Sequence, residues 1–455
     1  MFRKLFTIGI ILVCTHLQSV VAQDSLSYTL MLRFPVFDYP ENSQSNYRYP
    51  TMQQALDWSS SMYDLSYWGI HETSFWLVKN KNNTAGGEFT RKGVEYLLGL
   101  AFAKYGSELP IPLGVWGHEA YHGSVLGAAG YSPLNGNSLF HRWDGTVYGI
   151  TDEELSDLKQ ENLSQLLYSC VAGVQYEIQS TKTNVTNDFY NKRKFYKAPL
   201  YLYNAWYVFN YFRFSTSAAS DSVKILAPPH ENTDPFYRDY AGADLTAWVY
   251  DMFSPEKPYT GRDGFPNGQG VNRRIGFSDL TTDGQDFLLK QKKLALLNFL
   301  NPAIFFINPI KIGNNFSFLP FAQYAPTHFG NSISANIPFT VKETNHMLVV
   351  NNFNNKNNKF WGFEYDIYGI NLGRSKRLVI DLQAEVWQQP ANQNFYDETS
   401  KTGLAVAVGA QYALTRNLAY FLKTAYKTEG LKMGNPYLKP TFSFSTGISF
   451  HTYNE

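Results

Sequence analysis

The spacing of apolar positions along this chain changes character once, near residue 310. Before that point apolar residues recur mostly at helical intervals; after it they alternate. "SLSYTLMLRFPVF", within the extended-looking stretch 23–50, reads as a strand, and residues 51–80 carry a helical pattern. In 88–105, Val94, Leu97, Leu98, Ala101 and Phe102 share one helix face. Pro110 and Pro112 break the chain, so a new helix opens with "GVWGHEAYHGSVLGAAG" (114–130). Thr151 followed by Glu154 has the form of a capping box and predicts a helix from about Asp152. Further helical patterns cover 161–180, 243–253 and 286–300, with loop-rich stretches at 226–240 and 254–285. The aromatic run "APLYLYNAWYVFNYF" (198–212) suits a buried helix or a strand.

From about Gly313 the period is two. Phe442, Phe444, Ile448 and Phe450 fall on one face of a strand, opposite Ser443, Ser445, Gly447 and Ser449. Leu404, Val406 and Val408 oppose Ala405, Ala407 and Gly409; Leu382 and Val386 oppose Asp381, Gln383 and Glu385; Trp361 and Phe363 oppose Glu364 and Asp366. Roughly eight such segments of about ten residues, joined by Asn, Gly and Lys turns, predict an antiparallel β-barrel. A soluble sandwich shares the alternation. Large aromatic residues on one face and small or polar ones on the other favour a barrel in a membrane.

The N-terminus adds a compartment. Arg3 and Lys4 precede an apolar run too short to span a bilayer, and Val20 and Ala22 suit a cleavage site. Residues 1–22 therefore read as a secretory signal peptide. Cys170 is then the one cysteine left, which excludes an intramolecular disulfide. No later apolar run is long and charge-free enough for a transmembrane helix. The expected architecture is α+β: a mainly helical domain over 23–310, then a barrel over 311–455, in the outer membrane of a Gram-negative envelope, with lipid as a partner. Lys and Arg (39) nearly cancel Asp and Glu (38), which removes any electrostatic case for nucleic acid. The 32 Tyr and 34 Phe suit membrane-interface belts, or more weakly a secreted glycan-binding surface.

The chemistry concentrates in 114–130. His118 and His122 are four apart, so on a helix their imidazoles stack on one face and can share a zinc ion. Glu119 points about 100° round, where a carboxylate serves as general base to a water on the metal. A hydrolytic site needs a third protein ligand. Glu177, on the next strongly helical segment with Gly173 permitting close approach, is the first candidate. Asp244 is the second, and His230 or Glu231 the third. An oxyanion donor is left open among Tyr121, Tyr176, Tyr240 and Arg238.

"HEAYH" with apolar flanks, and a glutamate on a following helix, resembles the zincin superfamily of zinc metallopeptidases, in its gluzincin-like form. The metzincin continuation is absent, since Ala128 stands where its third histidine would be. So is the longer gluzincin pattern, since Thr181 stands four after Glu177. The resemblance implies Zn2+ held by His118, His122 and Glu177, Glu119 as catalytic base, and a peptide or protein substrate. The competing expectation is a non-catalytic outer-membrane protein with a structural or vestigial metal site.

Overall fold

The alternating segments assemble with one N-terminal strand into an eleven-stranded antiparallel sheet. The computed structural model describes residues 28–453, apart from 46–47, 80–83, 110, 136–145, 192–193, 267, 343 and 374–376. The expected signal peptide lies outside the described residues. Strand β1 (Tyr28–Tyr39) is followed by helices α1 (Glu41–Ser45), α2 (Met52–Leu77), α3 (Ala85–Ala101) and α4 (Gly114–Ala128). A two-stranded ribbon, β2 (Leu134–Asn135) and β3 (Val147–Tyr148), precedes the long helix α5 (Asp152–Tyr190). Then come α6 (Ala198–Ser215), α7 (Ala218–Leu226), α8 (Asp244–Phe253) and α9 (Thr282–Ala295). The C-terminal strands are β4 (Ile310–Ile312), β5 (Phe316–Phe318), β6 (Phe321–Thr327), β7 (Gly330–Val341), β8 (Thr344–Asn354), β9 (Lys359–Leu372), β10 (Leu378–Pro390), β11 (Ser400–Ala413), β12 (Leu418–Lys427) and β13 (Thr441–Tyr453).

Local chemistry explains the helix starts. Thr51 and Thr151 each accept from the backbone N–H of a residue three further on, while Gln54 and Glu154 reach back to the cap. These reciprocal bonds satisfy N–H groups that no helical turn can reach. The patterns at 152 and 161–180 belong to one element, α5, broken by non-helical backbone at Asn162.

The sheet runs β1-β13-β12-β11-β10-β9-β8-β7-β5-β4, with β6 also on β7. The expected count of about eight strands falls short for two reasons: β4 to β6 are too short to show alternation, and β1 pairs with β13 across the whole length of the chain. Among the described residues no strand pair joins β1 to β4 or β6, so hydrogen bonding between these strands does not close the sheet.

The sheet is inside out. Trp361, Phe363, Leu382, Leu404, Val406 and Phe442 are exposed, whereas Asp366, Glu385, Ser445 and Ser449 are buried. The polar face packs against α2 and the second half of α5. Lys182 of α5 pairs with Glu364 of β9 at 2.9 Å, and Arg33 of β1 with Asp57 of α2 at 3.4 Å. Gln175 and Gln323 tie α5 to β6 by donating to the carbonyls of Pro326 and Ile178, each at 2.8 Å. Among the described residues, no helix is long and apolar enough to cross a membrane.

Candidate metal centre

Helix α4 is apolar and small-residue-rich almost all round, which suits an element buried on every side. Its low propensity is offset by close packing on α5. A Cβ at Gly117 would lie 2.3 Å from the Tyr176 ring, so only glycine lets the two helices approach this far. His118, Glu119 and His122 project from α4 into the space between α5, α6 and α8, all three buried.

The hydrogen bonds fix the tautomers. His122 Nδ1 lies 2.6 Å from the Ser169 carbonyl oxygen, which can only accept, so Nδ1 carries the proton. The Tyr240 hydroxyl sits 2.9 Å from the same nitrogen. His118 Nδ1 faces both oxygens of Glu177, at 3.1 and 3.3 Å. With both Nδ1 atoms donating, Nε2 is the nitrogen each ring has left to face Asp244, as a lone pair in a neutral imidazole or an N–H in an imidazolium. They converge on Asp244 Oδ2, at 3.7 Å from His118 and 3.4 Å from His122. His118, His122 and Asp244 thus form a buried group whose ligand atoms all lie within 4.8 Å of one another.

This places the two carboxylate candidates differently. Glu177 is beside the histidines but behind His118, on the nitrogen turned away from the ligand cluster. Asp244 faces both Nε2 atoms. His230 is exposed in a turn, and Glu231 pairs with Arg274, away from the centre. Tyr121 and Tyr176 meet edge to face, and Tyr176 donates to the Leu113 carbonyl. Arg238 donates to the carbonyls of Gln269 and Val271. Of the four open oxyanion candidates, Tyr240 alone touches a histidine of the group.

Two further aromatic residues line the centre. Tyr207 and Tyr211 of α6 place their rings 5.9 and 6.0 Å from the His118 ring, and the Tyr211 hydroxyl donates to Asp244 Oδ2. Their signal was the spacing of four in Tyr203, Tyr207 and Tyr211, which puts all three on one helical face.

The charges are strongly perturbed. Burial pushes the Glu119 carboxyl well above its ordinary range, only partly opposed by His118. Burial also raises Glu177, against the pull of His118. For Asp244 burial acts in the same direction, but the imidazoles of His122 and His118 outweigh it and hold the carboxyl down.

Asp244 is brought in from far along the sequence by a clamped loop. Asp239 accepts from the Gly242 N–H at 2.8 Å, and Gly242 has a positive φ of 68°, turning the chain into α8. Arg273 holds Asp152 at 2.7 Å and the carbonyls of Arg238 and Asp239 at 3.3 and 3.2 Å. Arg262 holds Asp251 of α8 at 2.8 Å.

The donor set fits a zinc ion: two neutral imidazoles and a carboxylate, each imidazole oriented by an acceptor behind it. Two further observations agree. His122 Nε2 is buried with no hydrogen-bond partner. A Cβ at Gly173 would lie 2.3 Å from both Nε2 atoms. That is close to a zinc–nitrogen bond length of about 2.0–2.1 Å, so the absent side chain leaves a space of ionic size.

No family model matches the chain, and no curated protein matches it. A solved structure of the NanC porin is similar over 31% of this chain and 74% of its own, at 15% identity and a TM-score of 0.23.

Proposed function

We propose that this chain is a zinc-dependent metallopeptidase of the bacterial envelope, carried on an outer-membrane barrel. The observation that supports the metal reading best is the pair of imidazoles, each held at Nδ1, that aim their Nε2 atoms at Asp244 over Gly173. Two ring nitrogens and a carboxylate facing one another in a buried space need positive charge among them, from a metal ion or from protons on the rings. His118, His122 and Asp244 would hold the metal. Glu177 and the Ser169 carbonyl orient the two rings. When bound, zinc supplies a Lewis acid that polarises a carbonyl and acidifies water. Glu119, next to His118 on α4 and held protonated by burial in the absence of a metal, would be ionised by the ion's charge, and its carboxylate would then take a proton and return it to the leaving amine. The barrel reading rests on the exposed apolar face and buried polar face of the sheet.

Metal analysis of the purified protein tests the ligand set. One zinc per chain is expected, lost in His118→Ala and in Asp244→Asn. Glu177→Gln should retain the ion with affinity about 10–100-fold weaker, as for other carboxylates behind a ligating histidine. If Asp244→Asn keeps full affinity and Glu177→Gln loses the metal, the two carboxylates exchange roles. Glu119→Gln should keep the zinc and lose hydrolysis of a peptide library; unchanged hydrolysis would sink the peptidase reading. The burial of both imidazoles favours one alternative, a structural metal joining α4, α5 and α8. In that case zinc is present, but wild-type protein cleaves no peptide.

A further inference from the structure

Two edges of the sheet, β1 and β6, are not left bare. Along the free side of β1, Ser61 of α2 accepts from the Arg33 N–H at 2.7 Å and donates to its carbonyl at 3.0 Å. Trp58 Nε1 donates to the Pro35 carbonyl at 3.2 Å, and Gln54 Nε2 to that of Val36 at 3.4 Å. Gln54, Trp58 and Ser61 are spaced by helical turns, so one helix face substitutes for a neighbouring strand. At the other edge Asn298 plays the same part for β6. It accepts from the Tyr324 N–H at 3.0 Å and donates to its carbonyl at 3.2 Å, while Ala322 N–H donates to the Leu300 carbonyl at 3.0 Å. Helix α2 packs on α3, α3 on α6, and α6 on the 296–299 turn. A continuous helical path therefore runs from β1 round to β6.

This path shows the same inverted polarity as the sheet. On α3 two of the four charged side chains turn inward: Arg91 and Glu95, each 6% exposed, pair at 3.0 Å, and His71 of α2 meets Glu95 at 3.2 Å. Phe89 is 81% exposed and Leu97 66%; Trp76 at the end of α2 is 70% exposed, and Leu300 60%. A helix on a water-facing surface would place these groups the other way round. The outer charge Lys92 reaches back to Glu88 at 3.5 Å, leaving its apolar stem along the surface. Helix α3 has 17 residues, hence a length of about 26 Å, close to the thickness of a bilayer's hydrocarbon core.

We infer that helices α2, α3 and α6 with the 296–301 segment complete the barrel wall, and that the outer face of α3 contacts the acyl chains of the bilayer. This rests on the membrane reading of the sheet above. It goes further in giving the helical part a lipid contact of its own, where the sequence pattern suggested a domain outside the membrane. Strand edges are not tolerated in hydrocarbon unless their N–H and C=O groups are satisfied. The side-chain bonds at β1 and β6 meet that requirement at the seam. A second copy of the chain is the competing occupant. The continuity of the outward apolar face from sheet to helices favours lipid, because a dimer needs only one patch.

The test uses the full chain reconstituted in phosphatidylcholine vesicles, with an environment-sensitive dye on Leu97→Cys or, as the strand control, on Val406→Cys. Both variants also carry Cys14→Ser, and Cys170 is buried and stays unlabelled in the native fold. Lipids carrying a nitroxide in mid-chain are expected to quench both dyes to within about twofold of each other. Quenching at 406 without quenching at 97 overturns the helical wall and leaves the barrel standing. No quenching at either position overturns the membrane reading together with this inference. Cross-linking between copies through Leu97→Cys, with the dye there shielded from lipid, assigns the face to a dimer and also overturns the inference. None of these readouts depends on zinc or hydrolysis.

Discussion

Gly173→Ala is expected to empty the metal centre. The added methyl would sit 2.3 Å from Nε2 of both histidines and 2.4 Å from His118 Cδ2, well inside any tolerated contact. Whether the neighbours can give way decides the size of the effect. Neither ring is a loose side-chain end: His122 is anchored on the Ser169 carbonyl, and His118 on Glu177. Ser169 and Glu177 both lie on α5, the same helix as Gly173, so withdrawing α5 would pull the anchors away with the methyl. Rotating the rings breaks the Nδ1 bonds and turns the Nε2 atoms from Asp244. Either response removes the ligand geometry. Overpacking of this kind costs about 1–3 kcal/mol, so the variant should fold with a lowered midpoint and contain no zinc. Metal content and a denaturant midpoint measured on the same preparation check both parts. Zinc held at wild-type affinity would show that the ion does not occupy the space over Gly173.

Gly173 also marks how far sequence reasoning reached. Periodicity placed His118, Glu119 and His122 on one buried helix, and it put Glu177 on a neighbouring helix that could come close. Both statements describe local pattern, and the structure brings these four residues together. Which imidazole nitrogen Glu177 would face depends on the offset between α4 and α5. That offset is fixed by contacts such as Gly117 against Tyr176, which have no period. Asp244 reaches the centre because Arg273 ties its loop to Asp152, more than a hundred residues earlier in sequence, while Arg262 holds Asp251 on α8, and a side-chain pairing at the first range leaves no trace in a single sequence. The same holds for the sheet. Alternation identified the apolar and polar faces of the long strands, but β1 meets β13 only through tertiary pairing. The edge bonds from Ser61, Trp58 and Asn298 look, in sequence, like ordinary helix and loop polar residues.

Asp251→Ala should be the most destabilising single change in the helical part, and it should weaken the metal centre without touching it. Asp251 is buried on α8, seven residues after Asp244. It accepts from Lys159 Nζ at 2.9 Å and from Arg262 at 2.8 Å, and both cations are buried as well. Burial alone would lower the Arg262 pKa, but Asp251 and Tyr259 hold it above its ordinary value. Removing the carboxylate strands two charges in a low-dielectric interior, leaving Lys159 the Ser254 carbonyl and Arg262 the Arg273 carbonyl and the Tyr259 ring. Breaking one buried pair costs roughly 3–5 kcal/mol, chiefly because the partner charge is left uncompensated. The sign of a second substitution tests that explanation. In the Asp251→Ala background, Lys159→Met removes one stranded charge and should recover part of the loss. If Lys159→Met instead adds to the loss, the deficit comes from packing and not from charge. Because α8 carries Asp244, zinc affinity should fall in Asp251→Ala and recover in step with stability in the double variant. Equilibrium unfolding, followed with and without added zinc, reads both effects. A metal affinity unchanged while α8 is destabilised would mean that Asp244 is not a ligand.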